Sequence, residues 1–385
     1  MINRIILLVV DGLGVGAAPD ASEYGDDRAH TLAHLAESVG GLSLPSLESL
    51  GLGHVSEVRG VRTMAQPIGC FGRLGFKSKG VDSLAGFWEI AGCLSDGDGT
   101  TFPDGYTPEI VTALEEVFGR KVLGSRLSSA EEALCDWNME HLSSGAPIVW
   151  TDGRQTCHLA AHESVWRPEE LYQRARDARK MLKDAWGIRR VAAHPLVGAS
   201  GALQFGSGRR DFAGEPSGLT MLDALNRAGQ ILIGVGKVGD LFGGRGLTRS
   251  VPVDTWMDAL DEASRMFKKV PRGLILVGLD VIGPVGERSA AALQDFDRRL
   301  PDFLAQLRPG DLLIMTGDHG RDLLKPHAAP TREYVPLLVT GPRLAQGVNF
   351  GDRASAADVG QTIAEALQGE SLAMGESFLD ALKSG

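Results

Sequence analysis

Disulfide chemistry is the first thing this sequence lacks: its 385 residues hold four widely spaced cysteines, Cys70, Cys93, Cys135 and Cys157, with no Cys-x-x-Cys pair among them. They read as reduced thiols of a cytoplasmic protein. Long apolar runs are also missing. Nothing approaches the length of a membrane helix, and the run Ile5–Val10 is too short for a signal-peptide core and leads straight into Asp11. No basic run stands out against a net charge of -10, which argues against nucleic acid and anionic membranes as partners. No internal repeat or low-complexity tract occurs. What is present is ordinary globular composition, 43% hydrophobic and 23% charged, in a chain long enough for two units or for one large unit carrying an insertion.

Short apolar runs that end near Gly or Asp recur at Ile5–Val10, Ile231–Val235, Leu274–Leu279, Leu312–Thr316 and Val335–Val339, as expected of strands buried on both faces of a parallel sheet. Helical stretches at Ser289–Leu307 and Ala354–Leu367 alternate with them, which predicts a doubly wound α/β core. Because the first run precedes residue 100 and the others follow residue 230, the middle of the chain is expected to form an inserted, smaller α/β cap. Its edges fall in the loop-rich Ser95–Thr101 and Asp211–Gly218, giving core 1–96, cap 97–216 and core 217–385. Within the cap, Pro168–Trp186 reads as an amphipathic helix and Arg189–Ala193 as a strand.

Ligands of open α/β sheets sit at the carboxyl ends of the strands. Asp11 closes the first run, Asp280 closes Leu274–Leu279, and Asp318 and His319 follow Leu312–Thr316 across Gly317. Oxygen and imidazole ligands converging there suit Mn, Mg or Zn, although a single Asp at such a place serves equally as a helix cap. A rival reading comes from Gly12-Leu13-Gly14-Val15-Gly16-Ala17 and Gly234-Val235-Gly236-Lys237-Val238-Gly239, which roughly fit a dinucleotide fingerprint and point to a nicotinamide-dependent oxidoreductase. Against it, Asp11 would set a carboxylate beside the cofactor's pyrophosphate. His158 and His162, four apart beside Cys157, would share one face of a helix as a zinc pair, or are two ordinary cap histidines.

Larger stretches carry a resemblance. Val10 through Asp26, Leu44-Pro45, Leu50-Gly51-Leu52-Gly53, Asp82-Ser83-Leu84-Ala85-Gly86-Phe87-Trp88-Glu89 and Thr101-Phe102-Pro103-Asp104-Gly105 follow one another as in phosphopentomutases. Ala160-Ala161-His162-Glu163, Gly236-Lys237, Phe296-Asp297-Arg298-Arg299-Leu300-Pro301, Asp318-His319-Gly320 and Thr331-Arg332-Glu333-Tyr334-Val335-Pro336-Leu337 complete the order, so the chain resembles that family over essentially its whole length. The resemblance implies an alkaline-phosphatase-like core with an inserted cap, a two-manganese site, and a phosphoryl-carrying threonine whose position is held here by Ser83. It also implies transfer of phosphate between the 1 and 5 positions of ribose or deoxyribose.

One half of the implied metal site is intact, with Asp11, Asp318 and His319 at ligand positions and Ser83 as the bridging oxygen. The other departs: Asp280 matches a ligand, but Val285 and Pro330 stand where histidines are expected. Glu287 would have to replace the first and His327 the second. In the implied substrate pocket Arg154 stands for an acid and His194 for an arginine, while Arg209 and Lys237 match phosphate-contacting positions. Arg154 implies a more anionic substrate group, or a salt bridge with Asp152. The expectation is a mutase acting on a sugar phosphate with one or two divalent ions, Mn2+ first. A phosphatase or phosphotransferase with a single or rearranged metal site, and an inactive phosphate-binding homologue, are the other readings.

Overall fold

The computed structural model describes residues 2–95, 100–283 and 286–383; Val285 and the loop residues Asp96 to Gly99 lie outside them. Two compact units divide the chain. The larger comprises residues 1–96, 216–239 and 244–385, and the smaller residues 97–215 and 240–243. The strands in chain order are β1 (Arg4–Val10), β2 (Cys70–Leu74), β3 (Leu123–Leu127), β4 (Ile148–Thr151), β5 (Thr156–His162), β6 (Arg190–Val197), β7 (Gln204–Phe205), β8 (Arg210–Ala213), β9 (Leu232–Val235), β10 (Arg249–Val251), β11 (Gly273–Leu279), β12 (Asp311–Gly317), β13 (Val335–Thr340) and β14 (Asn349–Arg353).

The larger unit is built on an eight-stranded sheet of order β10-β9-β11-β1-β12-β13-β2-β14. Strand β1 lies at its centre, parallel to β11 and β12 and in register with both, Val10 opposite Leu279 on one side and Gly317 on the other. All seven residues of β1, β11 and β12 are buried, because helices cover both faces. Strand β13 departs from the parallel expectation for Val335–Val339, running antiparallel to both β12 and β2. A strand buried on both faces is a continuous apolar run whichever way it points, so the pattern is blind to direction. The helices at Gly286–Leu304 and Ala357–Ala366 fall where the periodicity placed them, within three residues at each end.

The smaller unit holds a six-stranded sheet of β3 to β8. Along β5 the side chains alternate: Cys157, Leu159 and Ala161 point into an apolar core with Val191 and Ala193 of β6 and with Leu171, Ala175, Ala178 and Leu182 of the helix Pro168–Trp186. The other face carries the polar residues. Cys70, Cys93 and Cys157 are buried and Cys135 is exposed, all unpaired. Among the described residues no helix is long and apolar enough to cross a membrane.

Candidate active site

Register alone brings the acidic residues together. Since Val10, Leu279 and Gly317 stand side by side across β11, β1 and β12, the residues that follow them, Asp280, Asp11 and Asp318, leave the sheet at one level. Ser83 is the first residue of the helix Ser83–Ile90, and Asp82 caps that helix by accepting from the amide of Ala85 at 2.9 Å. Its hydroxyl donates to Asp11 Oδ2 at 3.1 Å and lies 3.4 Å from His319 Nε2. The helix can approach this closely because residue 86 is glycine: a Cβ there would stand 2.1 Å from the carbonyl oxygen of Asp318.

Asp11, Asp318 and His319 are all buried, and they offer ligand atoms within 4.8 Å of one another. Among the described residues this is the one group of three side chains able to hold a metal ion. Two details fit a cation there. Asp318 Oδ1 accepts from the amide of Gly12 at 3.1 Å, while its buried Oδ2 has no hydrogen-bond partner. His319 Nδ1 lies 2.8 Å from the carbonyl oxygen of Gly320, which can only accept, so Nδ1 carries the proton and the Nε2 lone pair faces the carboxylates.

The second implied half-site is not assembled in the same way. Asp280 and His327 stand outside the metal-capable group. His327 is exposed in a short turn, where its φ is 56°, and Pro330 is buried. Lys237, which follows β9 across Gly236, reaches into this place. Its ammonium contacts Asp11 Oδ2, donates to Ser83 Oγ at 3.1 Å and to Asp280 Oδ1 at 2.9 Å, and lies 3.8 Å from Asp318 Oδ2. Burial lowers the pKa of the lysine, but the carboxylates of Asp11, Asp280 and Asp318 outweigh it and hold the ammonium protonated. Burial likewise raises Asp11, yet Lys237 and Arg321 keep its carboxyl well below the usual range.

Arg321 escaped the sequence reading. It donates to Asp11 Oδ1 at 2.8 Å, and the only hint in the sequence is its place directly after Asp318-His319-Gly320. The glycines of the first fingerprint have a structural explanation. A Cβ on Gly12, which has a φ of +74°, would come within 2.9 Å of Arg321 Cβ, and one on Gly14 would overlap the Glu333 carboxylate. That carboxylate accepts from the amides of Gly16 and Thr31 and the hydroxyls of Thr31 and Thr331, so the motif Thr331-Arg332-Glu333-Tyr334 fastens the loop after β1.

In the smaller unit, Arg154 and His194 are buried and Arg209 is exposed, with Arg209 3.4 Å from Asp211. His194 Nε2 lies 3.1 Å from His158 Nδ1, and Trp150 stacks on His158 at 4.8 Å between ring centres. Arg154 accompanies Asp152 through its backbone amide, which donates to Oδ1 at 3.0 Å. Burial and the positive Arg209 push His194 well below the ordinary histidine range. The helical zinc pair is corrected: His158 and His162 lie on strand β5, where His158 meets His194 and His162 meets Ser164 and the carbonyl of Gly198.

The strand-end carboxylates, imidazole and hydroxyl on a mostly parallel sheet define a metalloenzyme of the alkaline phosphatase superfamily, and residues 257–371 match the model of the Metalloenzyme superfamily. Proteins named phosphopentomutase match at full length. That of Syntrophotalea carbinolica is 42% identical over 99% of this chain and 98% of its own, that of Caldanaerobacter subterraneus 40% over the same shares, and that of Acetivibrio thermocellus 39% over 99% of this chain and all of its own. The chain belongs to the phosphopentomutase family.

Proposed function

We propose that this chain interconverts the 1-phosphates and 5-phosphates of ribose or deoxyribose through a phosphoserine at Ser83. The observation that carries the reading is the convergence on Ser83 Oγ of Asp11, His319 and Lys237 from the ends of strands of one sheet, in a chain that is alike over its full length to proteins named for this reaction.

Asp11 and Arg321 fix each other and thereby the direction of the Ser83 hydroxyl. The Lys237 ammonium, donating to Oγ, favours the ionised oxygen that attacks phosphorus. As the Oγ–P bond forms, the P–O bond to the sugar breaks, and the proton lost by Ser83 balances the one gained by the departing sugar oxygen. The phosphoserine then passes its phosphoryl group to the other hydroxyl by the same step reversed. Asp11, Asp318 and His319 would hold a divalent cation, whose chemistry there would be Lewis-acid neutralisation of the phosphoryl oxygens, and the mixed oxygen and nitrogen donors suit manganese. Arg154, His194 and Arg209 are the residues assigned to substrate binding, since guanidinium forks suit a phosphate dianion. A cytoplasmic setting, where sugar phosphates and reduced cysteines coexist, completes the reading.

The test is phosphorus NMR of ribose 1-phosphate incubated with the protein and Mn2+. Ribose 5-phosphate appearing without inorganic phosphate is the expected result. Release of inorganic phosphate as the main product would replace the mutase with a phosphatase.

A further inference from the structure

We propose that Lys237 is the resident cation of the second half of this site, so that the chain binds one divalent metal ion and supplies the other positive charge covalently. The inference deepens the phosphoryl-transfer reading and rests on it.

An ammonium has three protons to donate, and here all three have acceptors: Asp11 Oδ2, Ser83 Oγ and Asp280 Oδ1. These are a carboxylate of each of two neighbouring strands and the nucleophile, the set of oxygens that a metal ion bridging Asp11, Asp280 and Ser83 would need. The lysine side chain is 7% exposed, enclosed within the oxygens rather than laid across them from solvent. Its stem is held in place: a Cβ on Gly278 of β11 would stand 3.3 Å from Lys237 Cγ, and the ammonium lies 5.7 Å from the centre of the Phe87 ring. A second metal ion set among the oxygens of Asp11, Asp280 and Ser83 would have to displace this ammonium. It would then find few partners, because Asp280 is about half-exposed, 52%, and belongs to no group of three metal-capable side chains among the described residues.

The two cation positions are thus chemically different. Asp11, Asp318 and His319 offer a lone pair each, including one imidazole nitrogen, and an orphaned carboxylate oxygen; they fit a metal ion. Asp11, Asp280 and Ser83 offer only oxygens, one of each already accepting from the Lys237 ammonium. A fixed ammonium suits the task because it donates to the attacking oxygen and places a point charge beside the phosphoryl group.

Electron paramagnetic resonance of the protein reconstituted with Mn2+, together with metal content per chain, tests this independently of turnover. One Mn2+ per chain with the six-line signal of an isolated ion is expected in the wild type and unchanged in Asp280→Asn. Asp318→Asn should lose the ion. Lys237→Ala, checked by circular dichroism for folding, should lose transfer at least 100-fold and recover part of it with methylammonium added, since the small cation can refill the place. Two ions per chain with an exchange-coupled signal, one of them lost in Asp280→Asn, would overturn the proposal, as would a wild type that binds none. Either metal result is separable from the mutase assignment, which is read from the sugar phosphates alone.

Discussion

The cluster around Ser83 and the cluster around His194 are built in opposite ways. In the larger unit the polar groups leave the ends of strands whose register is fixed by buried apolar residues on both faces, so the placement of Asp11, Asp280 and Asp318 is a by-product of the core. In the smaller unit the polar groups stand on the face of a sheet and hold one another through a His158–His194 contact, a Trp150 stack and the Arg190 guanidinium on Thr156 Oγ1 at 3.0 Å. A strand-end site is as rigid as its sheet, whereas a face site is as rigid as its own side-chain contacts. The first suits chemistry that needs fixed charge, and the second suits recognition, which can be altered residue by residue.

The sharpest break in this comparison is Ser83→Ala. It should remove phosphoenzyme formation and lower turnover by roughly 1,000-fold or more, with metal content unchanged because Asp11, Asp318 and His319 remain. Equal loss of metal would show that the hydroxyl belongs to the metal site as much as to the chemistry. Next in size, Gly86→Ala forces a methyl group against the Asp318 carbonyl and should cost about 1–3 kcal/mol of stability, read as a lower denaturant midpoint. If the midpoint is unmoved, the helix is not seated by that glycine. In the face cluster, Arg209→Ala should raise KM by about 10-fold or more while changing kcat less, the pattern of lost binding rather than lost chemistry. A fall in kcat with KM constant would erase the distinction between the two regions.

The smallest effect concerns pH. His194 has a folded pKa below its unfolded value, so the unfolded chain binds the extra proton as pH falls through the ordinary histidine range. Stability should be fully present above that range and decline on acidification, with the slope reduced in His194→Gln. The measurement is the melting temperature of both proteins between pH 7.5 and 5.5.

How much of this was legible follows from the same contrast. The strand-end aspartates stood out because each closes a run of apolar residues, and the apolar runs are the strongest signal a parallel sheet emits. The direction of β13 and the strands Cys70–Leu74 and Asn349–Arg353 were not visible: the first is symmetric in pattern, and the other two are short and interrupted by Gly72 and Gly351. In Thr156–His162 the alternation of polar 156, 158 and 162 with apolar 157, 159 and 161 is the period of a strand, and the four-residue spacing of His158 and His162 concealed it. Arg321 was hidden for another reason, as was the reach to Asp11 of Lys237, which the resemblance marked only as a phosphate-contacting position. Each acts on Asp11 across more than 200 residues of sequence, and nothing local in the chain marks a side chain that reaches a distant carboxylate.

The central claim is that phosphate passes through Ser83. Mass spectrometry of the protein quenched during turnover of ribose 1-phosphate tests it most directly. A phosphoryl group on the peptide containing Ser83, absent in Ser83→Ala and accompanied by ribose 5-phosphate, is the result expected. Conversion at full rate with Ser83 unmodified, or retained conversion in Ser83→Ala, would contradict it.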